Sequence, residues 1–299
     1  MDITSVLKKN KSELALVVGN GIHRYSGMGN SWEGLLQGLA NKYKPGVKIY
    51  PRGISLTEYY DVLELSSSRQ SLQREFCDLL DKWEPAEHHR RVVNWALRNS
   101  SPILTTNFDK VLADCGGFKK RRTKKEKFTA YYPWDTYFGP DKITNPCKSF
   151  GLWHINGMQE YRQSIRLGLS HYMGSVQRAR EWLHRYGNRL FSGKSHNTWR
   201  GADTWLKVIF SSQLLIFGLG LEENEVFLRW LLIERARYFR EYPKMRKQAW
   251  FVHVTNGGRT KLEEGKQFFL EGIGIKIVTV DTYDELYSNE IWGNSQEAV

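Results

Sequence analysis

The chain is poor in cysteine, and what it has is scattered. Cys77, Cys115 and Cys147 are the full set, and no two lie within four residues of each other. A Cys-x-x-Cys half-site for zinc is therefore excluded, and so is a disulfide framework. Long apolar runs are missing too: none approaches the ~20 residues of a membrane-spanning helix. The segment from Met1 to Lys11 is polar and charged, unlike the apolar core of a secretory signal, so a cytoplasmic location is expected. Internal repeats and low-complexity linkers are absent, which favours a single domain over residues 1–299.

Acidic side chains are also in deficit: 32 against 44 lysines and arginines leaves a formal charge of +12. Much of the excess sits in Lys119-Lys120-Arg121-Arg122-Thr123-Lys124-Lys125-Glu126-Lys127. Such a run can touch nucleic acid or an acidic partner. It also reads as a solvated loop, because like charges repel and stay hydrated, and no groove-reading motif accompanies it. The solvated loop is the expectation. Hydrophobic residues at 40% and charged residues at 25% are ordinary for a globular chain of this length.

Six short apolar runs punctuate the sequence: Leu14 to Val18, Pro102 to Thr105, Leu152 to Ile155, Leu214 to Phe217, Ala249 to Val254 and Ile275 to Val280. Several are continuous rather than alternating, as expected for strands buried on both faces of a parallel sheet. Between them, Trp32, Leu35, Leu36 and Leu39 form a one-sided helical stripe, and Phe227, Trp230, Leu231 and Ile233 mark another helix. Strand alternating with helix predicts an α/β fold, a doubly wound parallel sheet. Residues 44–100 and 158–212 read as helical insertions on that scaffold.

Polar and glycine signals collect just after the strands. Gly19-Asn20-Gly21 follows the first, Thr106-Asn107-Phe108-Asp109 the second, Asn156-Gly157 the third, Gly218-Leu219-Gly220 the fourth and Thr255-Asn256-Gly257-Gly258 the fifth. In a parallel sheet these segments share one edge, where ligands bind. The glycine turn lets phosphate approach amide N–H groups at a helix start, although Arg24 breaks the full Gly-x-Gly-x-x-Gly pattern. Asn107 can hydrogen-bond a ribose hydroxyl or a water, and Asp109 can stabilise positive charge on a sugar; either could equally cap the helix ahead. His154 could reach the same edge or be a core histidine. His88, His89 and His196 lack metal-site spacing and read as surface or packing residues.

Taken together, these segments resemble the sirtuin superfamily. Gly19-Asn20-Gly21 with Ser26-Gly27 resembles its first cofactor loop, Thr106-Asn107-Phe108-Asp109 its Thr-Gln-Asn-Ile-Asp signature, and Gly218-Leu219-Gly220 its Gly-Thr-Ser turn. The stretch Ile275 to Leu286, containing Asp281, resembles the closing strand and helix of bacterial members. Without zinc cysteines, the resemblance points to the zinc-less NAD hydrolases of antiphage defence and away from NAD-dependent deacylases. It implies NAD as substrate, no metal, and Asn107, Asp109 and His154 as catalytic residues. Gly19, Asn20, Gly21, Ile22, Ser26, Thr106, Asn156, Gly218, Leu219, Gly220, Asn256 and Asp281 would contact NAD. Asn156 stands where many relatives carry histidine, which keeps open an NAD- or ADP-ribose-sensing subunit. The resemblance also implies a partner subunit such as a DNA-translocating ATPase, and a homo-oligomer is expected because 11 Trp, 15 Tyr and 14 Phe are more aromatic side chains than one core of this size needs to hide. Trp182, Tyr186 and Trp199 are candidate interface anchors, or else pack the second insertion onto its own sheet.

Overall fold

The computed structural model describes residues 2–25, 27, 32–43, 51–67, 72–80, 83–123, 132–185, 187–193, 195–223 and 225–293. All six apolar runs are strands, each within one residue of its expected bounds. They are β1 (Leu14–Val18), β2 (Ile103–Thr105), β5 (Leu152–His154), β6 (Gln213–Phe217), β7 (Ala249–Val254) and β8 (Ile275–Val280). Two more, β3 (Lys119–Arg122) and β4 (Thr136–Gly139), extend one edge. The spatial order is β3-β4-β5-β2-β1-β6-β7-β8. Pairing is parallel from β5 across to β8 and antiparallel for β3 with β4 and β4 with β5.

The six parallel strands, counted in chain order, lie as 3-2-1-4-5-6, the order of doubly wound dinucleotide-binding sheets. The chain leaves β1 toward β2 and β5, then returns to β6 on β1's other side and runs outward to β8. Beyond the ends of β1 and β6, the connections diverge and open a crevice. The molecule is an α/β protein of Rossmann-like type.

Side-chain alternation explains why the runs look continuously apolar. Ala15 and Val17 of β1 face one core with Leu214, Ile216 and Phe251. Leu14, Leu16 and Val18 face the other with Leu215, Phe217 and Trp250. The helices Leu169–His184, Trp205–Ser211 and Val226–Glu241 cover the first face. Ile3–Asn10 and Glu87–Arg98 cover the second. Both faces are covered, and the buried polar side chains on the central strands, Thr105 and His154, are hydrogen-bonded to backbone carbonyls.

The aromatic residues fill these cores. Trp134 stacks on Trp205 at 5.4 Å between ring centres and meets Trp182 at 4.9 Å. Trp199 is buried against Phe210. Trp182 and Trp199 therefore pack the second insertion onto its own sheet and do not stand out as interface anchors; Tyr186 lies outside the described residues. The basic run also differs from the expected loop. Lys119 to Arg122 form an edge strand, a place where charged side chains can point to water and block edge-to-edge pairing. Arg122 pairs with Asp135 at 2.8 Å and Lys120 with Glu160 at 2.5 Å, so part of the run is neutralised in place. Lys124 to Lys127 lie outside the described residues. Among the described residues no helix is long and apolar enough to cross a membrane.

Candidate active site

The cleft at the carboxyl ends of the strands measures about 590 Å³, within the ~300–1,000 Å³ usual for small-molecule sites. Five strand ends reach it. Asn20 and Gly21 follow β1, Thr106, Asn107 and Asp109 follow β2, and Asn156 follows β5. Gly218, Leu219 and Gly220 follow β6, and Asn256 follows β7. One wall is apolar, built from Trp32, Phe76, Trp83 and Phe108.

The floor is two glycine turns pressed together. The Gly21 amide donates to the Gly218 carbonyl at 2.6 Å. A methyl group at Gly19 would sit 2.5 Å from the Gly218 carbonyl oxygen, and one at Gly21 would sit 2.8 Å from the Gly218 α-carbon. Gly218 itself has φ +63, a conformation that favours glycine. The sequence pattern Gly-x-Gly after β1 and again after β6 thus has one cause, the close approach of two backbones at the crevice.

Below the floor lies a hydrogen-bond chain that sequence reading left unassembled. The Ala86 amide donates to His89 Nδ1 at 3.0 Å, so the His89 proton is on Nε2. That Nε2–H donates to His23 Nδ1 at 2.9 Å, which places the His23 proton on its own Nε2. His23 Nε2–H donates to the Asp109 carboxylate at 3.1 Å. The Asn107 amide lies 2.8 Å from the same nitrogen. The same side-chain amide donates from Nδ2 to the Gly19 carbonyl at 3.4 Å, tying the β2 turn to the glycine floor. Burial pushes the His89 pKa down to about 3, with His23 and His88 adding to the effect. Burial lowers His88 as well, and its ring nitrogen donates to the Ile22 carbonyl at 2.7 Å.

Asp109 is buried, which alone would raise its pKa. His23 and the Val111 amide, which donates to it at 2.9 Å, together hold it below the usual carboxylate range. It therefore receives the first amide of the short helix Val111–Asp114 and lines the cleft at once.

Other sequence-selected residues fall elsewhere. Gly19 and Ile22 support the floor from beneath, and Ile22 is fully buried. Asp281 braces the β7 loop: its carbonyl accepts from Gly257 at 3.1 Å. Ser26 lies outside the described residues. His154 does not line the cleft. β5 ends at His154, so the pleat that would set His154 and Asn156 on one side stops there. The His154 ring turns beneath β2, where Nδ1–H donates to the Asn107 carbonyl at 2.7 Å. Burial lowers its pKa, against the opposing pull of that carbonyl and Asp109. Its role in this geometry is to fix the Asn107 backbone.

Glu225 is the cleft residue that sequence reading missed. It precedes the helix Val226–Glu241, and its neighbours Glu222 and Glu223 make the segment look like a solvated acidic turn. The fold instead seals its carboxyl away from solvent against the Asn156 amide. Burial pushes its pKa up to about 7, with Glu222 adding to the rise and Asn156 opposing it. Nearer the mouth, Lys266 pairs with Glu222 at 2.5 Å, while Arg24 is exposed beside the glycine floor.

Among the described residues, no group of three or more His, Cys, Asp and Glu side chains is placed to hold a metal ion. No protein-family model matches the chain, and no curated protein matches it significantly.

Proposed function

We propose that the cleft binds NAD and that the protein hydrolyses it to nicotinamide and ADP-ribose. The observation that carries this reading is the pair of interlocked glycine turns at the point where a 3-2-1-4-5-6 sheet reverses direction, with Asn107 and Asp109 beside them. Side-chain-free backbone at the start of the helix Gly21–Tyr25 suits a pyrophosphate, and Arg24 adds a cation nearby. The aromatic wall suits a planar ring. Nicotinamide leaves as a neutral molecule and needs no proton, so the protein's task is to stabilise positive charge on the ribose and to direct water at it. The ionised Asp109 supports the first, and the Asn107 amide suits the second.

A sensing subunit that holds NAD without cleaving it is the second reading, favoured by an amide rather than an imidazole at position 156. Protein deacylation is disfavoured by the dispersed cysteines. Following the resemblance, we place the hydrolase in antiphage defence, as an oligomer acting with a partner subunit such as a DNA-translocating ATPase. Calorimetric titration with NAD, followed by addition of an acetyl-lysine peptide, separates these readings. Binding with nicotinamide release unaffected by the peptide is expected; release only with the peptide would mean deacylation, and binding without release would mean sensing.

A further inference from the structure

Hydrolysis needs a group to receive a proton from water, and few groups in the cleft can do so. Asp109 has both oxygens engaged, one by the Val111 amide and one by His23. Glu222 is paired with Lys266, and Glu33 is exposed at the mouth. His253 donates from Nε2 to the Thr260 carbonyl at 3.0 Å and stands at the far end of the cleft. Asn156 is an amide and cannot act as a base at all.

Glu225 differs from all of these. Its Oε2 is sealed from solvent and has no hydrogen-bond partner among the described residues; the same holds for Asn156 Oδ1. Both residues line the cleft, and their side chains meet. Glu225 and Asn156 share one side-chain hydrogen bond, which leaves Glu225 Oε2 and Asn156 Oδ1 each sealed without a partner, at a cost of about 1–3 kcal/mol for each unmet group. A water molecule carries two donor hydrogens, enough for both.

We infer that Glu225, oriented by Asn156, takes the proton from the water that attacks the ribose carbon of the bound dinucleotide. The water oxygen bonds to the anomeric carbon as the carbon–nitrogen bond to nicotinamide breaks, and nicotinamide departs with that electron pair. The water proton passes to the Glu225 carboxylate, which returns it to solvent after ADP-ribose leaves. The titratable groups facing Glu225 are Glu222 in the preceding turn and Tyr172 from the helix Leu169–His184. Burial of the carboxyl places its proton exchange near neutral pH, where a base is most useful.

This inference rests on the NAD reading, and the test keeps the two apart. Full-length parent and Glu225→Gln are assayed for nicotinamide release from NAD between about pH 5 and about pH 9. In the parent, kcat is expected to rise with pH and level off above about 7, as the carboxyl loses its proton. In Glu225→Gln, kcat is expected to fall at least about 100-fold with KM within about threefold, and the acid limb to disappear. Folding is checked separately by melting temperature. The folded chain holds the Glu225 proton up to about 7, whereas the free side chain releases it at the ordinary 4.5. The parent therefore loses stability as pH rises between those values, and Glu225→Gln is expected to escape that loss. Parent-like turnover in Glu225→Gln, or an acid limb that persists there, would overturn the inference alone. No cleavage by the parent would overturn the NAD reading and the inference with it.

Discussion

Asn107→Ala is expected to lower nicotinamide release by about 100- to 1,000-fold while the protein still folds. The size of the effect follows from where the amide sits. Asn107 is almost fully buried, yet it lines the cleft, and its position is held from two sides. His154 grips its carbonyl, and Thr105 accepts its amide N–H at 3.1 Å. A group so fixed pays little reorganisation when charge develops on the sugar, which is when its interaction counts. Stability is less exposed to the change. His23 Nε2–H keeps its bond to Asp109 in the variant, so no buried donor is orphaned and a loss of about 1 kcal/mol is expected. A folded Asn107→Ala protein with the parent's kcat would remove this residue from the site.

The second large effect is expected at Gly19. An added methyl group would stand 2.5 Å from the Gly218 carbonyl oxygen and 2.7 Å from the Leu219 β-carbon. The first of these is backbone at the end of a central strand and has nowhere to go, so the two turns must separate. Gly19→Ala is expected to weaken NAD binding by at least about 100-fold and to lower the melting temperature by several degrees. Gly38→Ala is the matching control. Gly38 lies within the helix Trp32–Tyr43 with open space around its α-carbon, so alanine there should leave binding unchanged and stabilise by up to about 1 kcal/mol. Calorimetry and thermal melts on the two variants decide the matter; equal affinities would mean that the glycine floor does not hold the ligand.

Much of this architecture is legible in the residues because it depends on local pattern. β1 is apolar and buried at all five positions, and β6 and β7 are apolar except at Gln213 and His253, because the sheet is covered on both faces. The polar segments after each strand mark the ligand edge for the same topological reason. β3 was hidden because Lys119-Lys120-Arg121-Arg122 has no apolar alternation; its strand state comes from pairing with the buried β4. The histidine chain was hidden for a different reason. His23 and His89 are 66 positions apart, and only the crossover from β1 to β2 brings them into contact. Glu225 was hidden most deeply. Its chemistry comes from burial beside Asn156, a residue contributed by another strand end, and nothing within Glu222 to Val226 signals it.

The most direct test of NAD hydrolysis is to incubate the purified full-length chain with NAD and quantify nicotinamide and ADP-ribose over time by chromatography. The expected result is that both products accumulate in equal amounts as NAD disappears. Intact NAD after prolonged incubation, with no heat of binding on titration, would contradict it.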